Sequence, residues 1–441
     1  MDSAAQVTRR AFLQRAAGVA GGIAAFPYFV RARALGKAGT VAPGNRITLG
    51  CIGVGGRGTD VMQALLATGQ AQVVAICDVD TNRRAAVKNL LAKKYNSAGC
   101  AAYNDFREVV GRDDIDAVMI ATPDHWHALP AIAAAKAGKA VYCEKPLALT
   151  IDQGRKMVEA VQRYGTVFQT GTQHRSEQHF RRACELVRNG RLGKLHTVEV
   201  EIPGSMSLAG FDSGPVPQGF DYDMWLGPAP QAPYSPKRVD AFGWRWILDY
   251  AGGCVTDWGA HHIDIAQWGM GTTDTGPVEV EGKGVFPKDG LFNAAIYWRF
   301  ECRYANGVTV VCFAKSELLA AGQYPNGIKF IGDKGWLFVD TGRIDAGPKS
   351  ILKEEIGADE VHLYESSNHY QNFIDCIRNR TPTAAPVDQA HRSVTVCHLG
   401  NIAMRLGRKI RWDPAAEKII ADDQAGRMLT RPMRSPWHLS E

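Results

Sequence analysis

Three groups of residues in this chain have side chains suited to moving protons or holding phosphate. The first is Glu144-Lys145-Pro146, which ends the apolar run "GKAVYC". A lysine at the end of such a strand can hold a bound hydroxyl and lower its pKa, and the neighbouring glutamate can tune or anchor that lysine. An ion pair that trims a strand end is the plainer alternative, and Pro146, which stops the strand and fixes the turn, weighs against it. The second group is Asp257 and His261, four residues apart in "WRWILDYAGGCVTDWGAHHIDIAQWGMG" (244–271), which reads as a helix. That spacing places both on one face. A carboxylate orienting an imidazole is what a general base requires, and histidine's ordinary pKa near 6.5 suits it to take a hydroxyl proton near neutrality. A histidine satisfied in the core fits the same pattern. His261, His262 and Asp264 also invite a metal reading, but adjacent helical residues point about 100° apart, so one helix does not build that site and no metal is expected.

The third group is Gly53-Val54-Gly55-Gly56-Arg57-Gly58, which follows the apolar strand pattern "RITLGCIG" and opens an amphipathic stretch. Asp78 closes the next apolar run, "QAQVVAICDVD". A glycine turn between strand and helix, answered by an acid about twenty residues on, is the context of a dinucleotide site. In it Gly53 permits the turn, Gly55 lets the backbone approach the pyrophosphate, Gly58 lets the helix pack closely, and the helix N-terminus faces the phosphates. Asp78 would accept hydrogen bonds from a ribose diol and repel a 2′-phosphate. NAD is therefore favoured over NADP, with Arg83 and Arg84 near enough to soften the preference.

These groups need a sheet to position them. "DAVMIATP" (116–123) and "KAVYCEKP" (139–146) are two further buried strands separated by the helical "HALPAIAAAKAG". Strands alternating with helices predict an α/β, doubly wound parallel sheet, a Rossmann domain over 46–168, with ligands beyond the carboxyl ends of its strands. After helical stretches at 151–164 and 175–189, strand-like segments follow in series at 194–203, 278–286, 294–301, 307–315 and 328–340. Their alternation predicts an α+β domain over 169–384 with a large, open, mainly antiparallel sheet, whose exposed face would suit a homo-oligomer. Residues 385–441 are expected to form a C-terminal helix and tail packing back on the body.

The chain has 441 residues, 45% hydrophobic and 22% charged, which fits a globular protein with room for two cores. No stretch approaches the roughly 20 consecutive apolar residues of a spanning helix. Residues 1–34 read differently. Arg9-Arg10, the apolar stretch Ala16 to Val30 and the small-x-small Ala32-Arg33-Ala34 have the order of a twin-arginine export signal, which implies a periplasmic or otherwise exported protein. Removing them takes away five arginines and Asp2, so the formal charge falls from +6 to about +2. The basic balance thus says little about partners, and no basic stripe interleaved with aromatics points to nucleic acid. The ten cysteines show no CxxC, and Cys51, Cys77, Cys143 and Cys312 lie in apolar runs where thiols act as small hydrophobes. Unpaired thiols are unusual in an exported protein unless it folds before export.

Taken together, the glycine motif with Asp78, "ATPDHWH" (121–127), "CEKP" (143–146) and "GGCVTDWGAHHIDIAQW" (252–268) resemble the glucose-fructose oxidoreductase / inositol dehydrogenase / MocA (Gfo/Idh/MocA) family over nearly the whole mature chain. The resemblance implies that Lys145, Asp257 and His261 form the catalytic group, with His261 as base and Lys145 positioning the reacting hydroxyl. It places Thr122, Pro123 and His127 beside a nicotinamide, adds Glu144 to the cofactor site, and puts His174 and Arg175 of "GTQHRS" (171–176), Trp225, Arg245, Tyr250 and His262 at the substrate. The implied reaction is NAD-dependent oxidation of a sugar or polyol hydroxyl. Outside the cytosol no free NAD pool exists, so the cofactor would stay bound and be regenerated in place. Coupled oxidoreduction of two sugars would do this. So would redox-neutral glycoside cleavage through a 3-keto intermediate, although the Lys145, Asp257 and His261 set matches the dehydrogenase pattern. A non-catalytic nucleotide-binding scaffold is the third class, and the presence of all three polar residues speaks against it.

Overall fold

Short apolar, β-branched runs cannot hide both faces alone, and in the computed structural model, which describes residues 43–97, 99–314 and 326–439, six of them pair in parallel. They are β1 (Ile47–Ile52), β2 (Ala71–Cys77), β3 (Ala101–Tyr103), β4 (Ala117–Ile120), β5 (Ala140–Cys143) and β6 (Phe168–Thr170), in the order β3-β2-β1-β4-β5-β6. The order reverses between β1 and β4, so a crevice opens at their carboxyl ends. Helices α1 (Gly56–Ala67) and α2 (Thr81–Tyr95) cover one face through Val61, Met62, Leu65, Val87 and Leu91. Helices α3 (Ala128–Lys136) and α4 (Ile151–Tyr164) cover the other. Asp80 caps α2 and Thr150 caps α4 with side-chain oxygens, whereas α1 begins at Gly55 with no side-chain cap. Its first amides are left for a ligand.

Among the described residues the second sheet has nine strands. They are β7 (Leu195–Ile202), β8 (Glu279–Val285), β9 (Tyr297–Arg303), β10 (Thr309–Ala314), β11 (Gly327–Gly332), β12 (Gly335–Asp340), β13 (Arg343–Gly347), β14 (Ile410–Asp413) and β15 (Lys418–Ile419). Their order is β13-β12-β11-β7-β10-β9-β8-β14-β15, antiparallel except for the pair β7 and β10. Alternation is plain on β7, where Val198, Val200 and Ile202 enter the core while Thr197, Glu199 and Glu201 face the other way. Helices α5 (Gln178–Arg188) and α6 (Gly259–Met270) pack on the core face. Helix α7 (His369–Asn379) packs instead on the first sheet, through Phe373 and Ile374. Helix α8 (Val387–Leu406) serves both cores: Val387, Ala390 and Val394 join the first, and Val396, Leu399 and Ile402 the second. All of this lies in one compact unit that starts at Ile47.

Two segments depart from the sequence reading. The span 244–271 is not one helix: a 3-10 turn (Trp244–Trp246) and a loop lead to a short helix (Cys254–Asp257), and α6 starts only at Gly259. Gly252 and Gly253 break it, Gly253 at a φ of +70° that other residues rarely adopt. The tail contributes strands as well as a helix, since β14 adds to the edge of the second sheet beside β8. The strand β6 also runs across the boundary drawn at 168. The segment read as an export signal, residues 1–34, lies outside the described residues. Among the described residues, no helix is long and apolar enough to cross a membrane.

All ten cysteines are free and buried. Ellman's reagent should therefore find no reactive thiol in the native protein and all ten in urea; a native disulfide would lower the second count. Burial also holds histidines neutral. Those of His125, His262, His369 and His398 are pulled down to about 4. As the pH falls from about 6.5 to 4 the unfolded chain takes up protons that the folded chain refuses, so acid favours unfolding in this window. Among the described residues eight histidines are lowered and four carboxyls are raised, the latter acting in the opposite sense. The expected outcome is a melting temperature that drops between about pH 6.5 and 4, and a flat profile in differential scanning calorimetry would contradict it.

Candidate active site

A cavity of about 400 Å³ opens at the carboxyl ends of β1, β4 and β5 and reaches the second domain. Its first part is the glycine turn. Gly53 has a φ of +80°, and a Cβ there would stand 2.7 Å from the Ala121 carbonyl carbon. A Cβ on Gly58 would lie 1.9 Å from the Gly53 carbonyl oxygen. Both positions therefore exclude side chains. At Gly55 only the tip of Arg83 lies near, at 3.4 Å, and at Gly56 there is open space. The turn can thus receive a pyrophosphate at the uncapped start of α1.

Asp78 is buried and accepts from the Val54 and Asp80 amides, at 2.9 and 3.0 Å. Burial raises its carboxyl above the usual value, and Arg83 and the two amides work against that. Each oxygen keeps a second lone pair for a ribose hydroxyl. Thr122 and Pro123, beyond β4, line the opposite wall, and the Thr122 hydroxyl is buried without a partner. The turn, the acid and this orphan donor fit a dinucleotide. His127 does not reach the cavity: its ring nitrogens lie 2.8 Å from the Pro146 carbonyl and 2.9 Å from that of Thr122. It ties two cavity loops together and is a positioning residue.

The glutamate and lysine that end β5 point to different partners, as neighbours in extended chain must. Glu144 accepts from Arg57 at 3.0 Å, so it serves the glycine turn and does not anchor Lys145. A Cβ on Gly171 would stand 2.7 Å from its carboxylate, so a side chain there would push Glu144 aside. Lys145 reaches across to the second domain and donates to the Asp257 carboxylate at 2.5 Å and its carbonyl at 3.0 Å. Arg245 approaches the same carboxylate at 3.5 Å and lies over the Trp244 ring at 4.4 Å. Burial alone would raise Asp257, but Lys145 and Arg245 hold it below the usual carboxylate value.

His261 lines the cavity, and its Nδ1 is buried without a partner. The expected orientation of His261 by Asp257 is absent, because the carboxylate is taken by two cations. Its placement comes from ring packing: His174 lies 4.7 Å away and is itself backed by Phe180 at 4.5 Å. Burial first, then Lys145 and the neighbouring histidines, pushes the imidazole well below 6.5. The ring is therefore a neutral acceptor at pH 7.

Of the residues read as substrate contacts, Trp225 and Arg245 line the cavity and four do not. Arg175 is 3% exposed and forms a bidentate pair with Asp264 at 2.6 and 2.8 Å, which also removes Asp264 from any metal reading. Tyr250 is fully buried and accepts from Arg238 at 3.1 Å. His262 is buried with Nδ1 at 3.2 Å from the Trp258 carbonyl, and His174 stands behind His261. A polar residue in a motif can face either way, and only the packing chooses. Sequence reasoning passed over Asp124, Trp126, Gln173 and Trp244, all on the cavity wall. Each sits in or next to a quoted motif, so adjacency was the available signal.

The description "Oxidoreductase family, NAD-binding Rossmann fold" matches residues 47–172, and "Oxidoreductase family, C-terminal alpha/beta domain" matches residues 204–439. Among similar proteins is a myo-inositol 2-dehydrogenase of Thermotoga maritima, 25% identical over 300 residues, covering 67% of this chain and 75% of the relative. Another is inositol 2-dehydrogenase 3 of Saccharopolyspora erythraea, 35% identical over 150 residues, 33% of this chain and 42% of the relative. The WlbA dehydrogenase of Bordetella pertussis, solved with NADH and UDP-GlcNAcA, shares the fold at a TM-score of 0.62 and 20% identity, covering 83% of this chain and 99% of that one. With both of its family domains in sequence order and the glycine turn, Asp78 and Lys145 gathered on one cavity, the chain belongs to the Gfo/Idh/MocA oxidoreductase family.

Proposed function

We propose that this protein is an NAD-dependent oxidoreductase acting on a hydroxyl of a sugar or polyol. The observation that carries the reading is the placement of Lys145, ion-paired to Asp257 at 2.5 Å, beside the neutral His261 on the same cavity as the glycine turn. When bound, NAD supplies the hydride acceptor, and the protein supplies position and charge. Lys145 holds the reacting oxygen and favours its ionised form. His261 takes the proton on the ring nitrogen that the neutral imidazole leaves unprotonated at pH 7. Asp257 keeps Lys145 aimed and, being shared with Arg245, leaves the local charge net positive where alkoxide character develops. Trp225 and Trp244 offer apolar faces to a sugar ring.

The finer reading is that the protein leaves the cytosol by the twin-arginine route, keeps its cofactor and recycles it within one site, and associates through the outer face of the second sheet. The Arg9-Arg10 motif and ten buried, unpaired thiols support folding before export. The test is to purify the protein from its own compartment without added cofactor, denature it, identify released nucleotide, and assay the intact protein on sugars, polyols and aryl glycosides. Retained NAD with sugar turnover and no net NADH supports recycling. NADH formed only on adding NAD makes it an ordinary dehydrogenase, and cleavage of aryl glycosides without net NADH would favour the redox-neutral route instead.

Lys145→Ala should lower kcat by roughly 10²–10⁴ and leave most of the melting temperature intact. Near-normal turnover with a large melting loss would make the lysine a purely structural tie. The pH profile tests His261. A lowered pKa keeps the base available as pH falls through 6.5, so kcat/KM should stay flat from about pH 8 to 6 and decline only below. An inflection at about 6.5 would mean an unshifted group controls the rate.

A further inference from the structure

We propose that Asp124 is a further substrate-contacting residue, a carboxyl group that takes a second hydroxyl of the sugar or polyol while Lys145 holds the reacting one. The proposal rests on the oxidoreductase reading above and names a residue that reading does not use. Asp124 follows Thr122-Pro123 at the end of β4, opens a 3-10 turn (Asp124–Trp126), and lines the cavity with Lys145, Arg245 and His261. It is 3% exposed.

The other acids on this cavity, Asp78 and Glu144, have partners, and so has Asp257 beside it. Asp78 accepts two amides, Glu144 has Arg57, and Asp257 has Lys145 and Arg245. The Asp124 carboxyl accepts from its own backbone amide, but among the described residues no other side chain hydrogen-bonds to it and no cationic nitrogen lies within 4.0 Å. The charged groups facing it are Asp257 and Arg245 from the second domain and Lys145 from the end of β5. It stands near enough to feel them yet too far to pair, and such a gap admits a ligand oxygen.

Burial and the Asp257 charge hold its carboxyl well above the usual value, and Arg245 and Lys145 offset this only in part. A buried carboxylate with no cation paired to it is costly, which favours the protonated acid. That form has one donor and spare acceptor capacity, which is the complement of a hydroxyl. The fixed pair is therefore Lys145 on one oxygen and Asp124 on another, which selects a polyhydroxylated molecule over a simple alcohol.

The test compares wild type with Asp124→Asn and Asp124→Leu on the polyol or sugar turned over in the panel and on its single-deoxy analogues. NADH binding is followed by fluorescence as the cofactor control. Wild type should prefer the parent over one deoxy analogue by about tenfold. Asp124→Leu should lose that preference by raising KM for the parent alone, and Asp124→Asn, which keeps a donor and an acceptor, should restore most of it. Preference retained in Asp124→Leu overturns the proposal, and so does weakened NADH binding in that variant, which would assign the carboxyl to the cofactor. If wild type binds NADH but turns nothing over, the oxidoreductase reading fails by itself. Quenching of tryptophan fluorescence by the same polyols then decides: binding weakened in Asp124→Leu supports the contact, and unchanged or undetectable binding removes it.

Discussion

The ion pair between Lys145 and Asp257 joins the two halves of the molecule at the point where chemistry is possible. One partner lies two residues beyond a strand of the parallel sheet and the other ends a short helix of the second domain. Neither domain alone would hold the lysine, because a long ammonium side chain at a strand end has many rotamers and a solvated alternative. The second domain removes that freedom by offering a carboxylate and a carbonyl together. A partly buried pair of this kind adds little to net stability. Its value lies in geometry, since an oriented cation beside a neutral imidazole costs no reorganisation when charge develops.

Much of the surrounding architecture keeps other charges from competing for that lysine. Glu144, its nearest neighbour in sequence, is drawn to Arg57 by the strand's alternation. Arg175 and Asp264 close on each other in the core, and Ser393 donates to Asp264 at 2.8 Å. That buried pair braces the 3-10 turn before α5 (Gln173–Ser176) against α6, the helix that carries His261. Here a charged motif serves rigidity, and the His261 ring is held by His174 and Phe180, with no carboxylate of its own. In the proposed reaction this neutral, weakly basic imidazole would depend on Lys145 to make the hydroxyl acidic enough, so the two residues would work as one device.

The fold was largely legible, because its signals are local. Apolar runs of four to seven residues separated by helical stretches, and a glycine turn answered by Asp78, specify a parallel sheet whatever the rest of the chain does. Strands with clean alternation in the second half specify a one-sided sheet. The elements missed were those whose signal is weak or long-range: β14 is four residues long and has meaning only beside β8, some 130 positions away. The break at Gly252 and Gly253 was visible as two glycines, yet the flanking apolar residues masked it.

Residue types and spacing by themselves determined that the Gly53–Gly58 turn and Lys145 meet at the carboxyl edge of one sheet, on one cavity, since a strand end and a tight turn fix direction over a few residues. Tertiary structure alone decided the rest: that Asp257 serves Lys145 and not His261, that Arg175, Tyr250 and His262 face the core, and that Asp124 is left without a cationic partner. The physical reason is that a polar side chain's role is set by which opposite charge or hydrogen-bond group folding brings within about 3 Å. That distance is a property of packed domains and leaves no trace in the order of residues along one strand or helix.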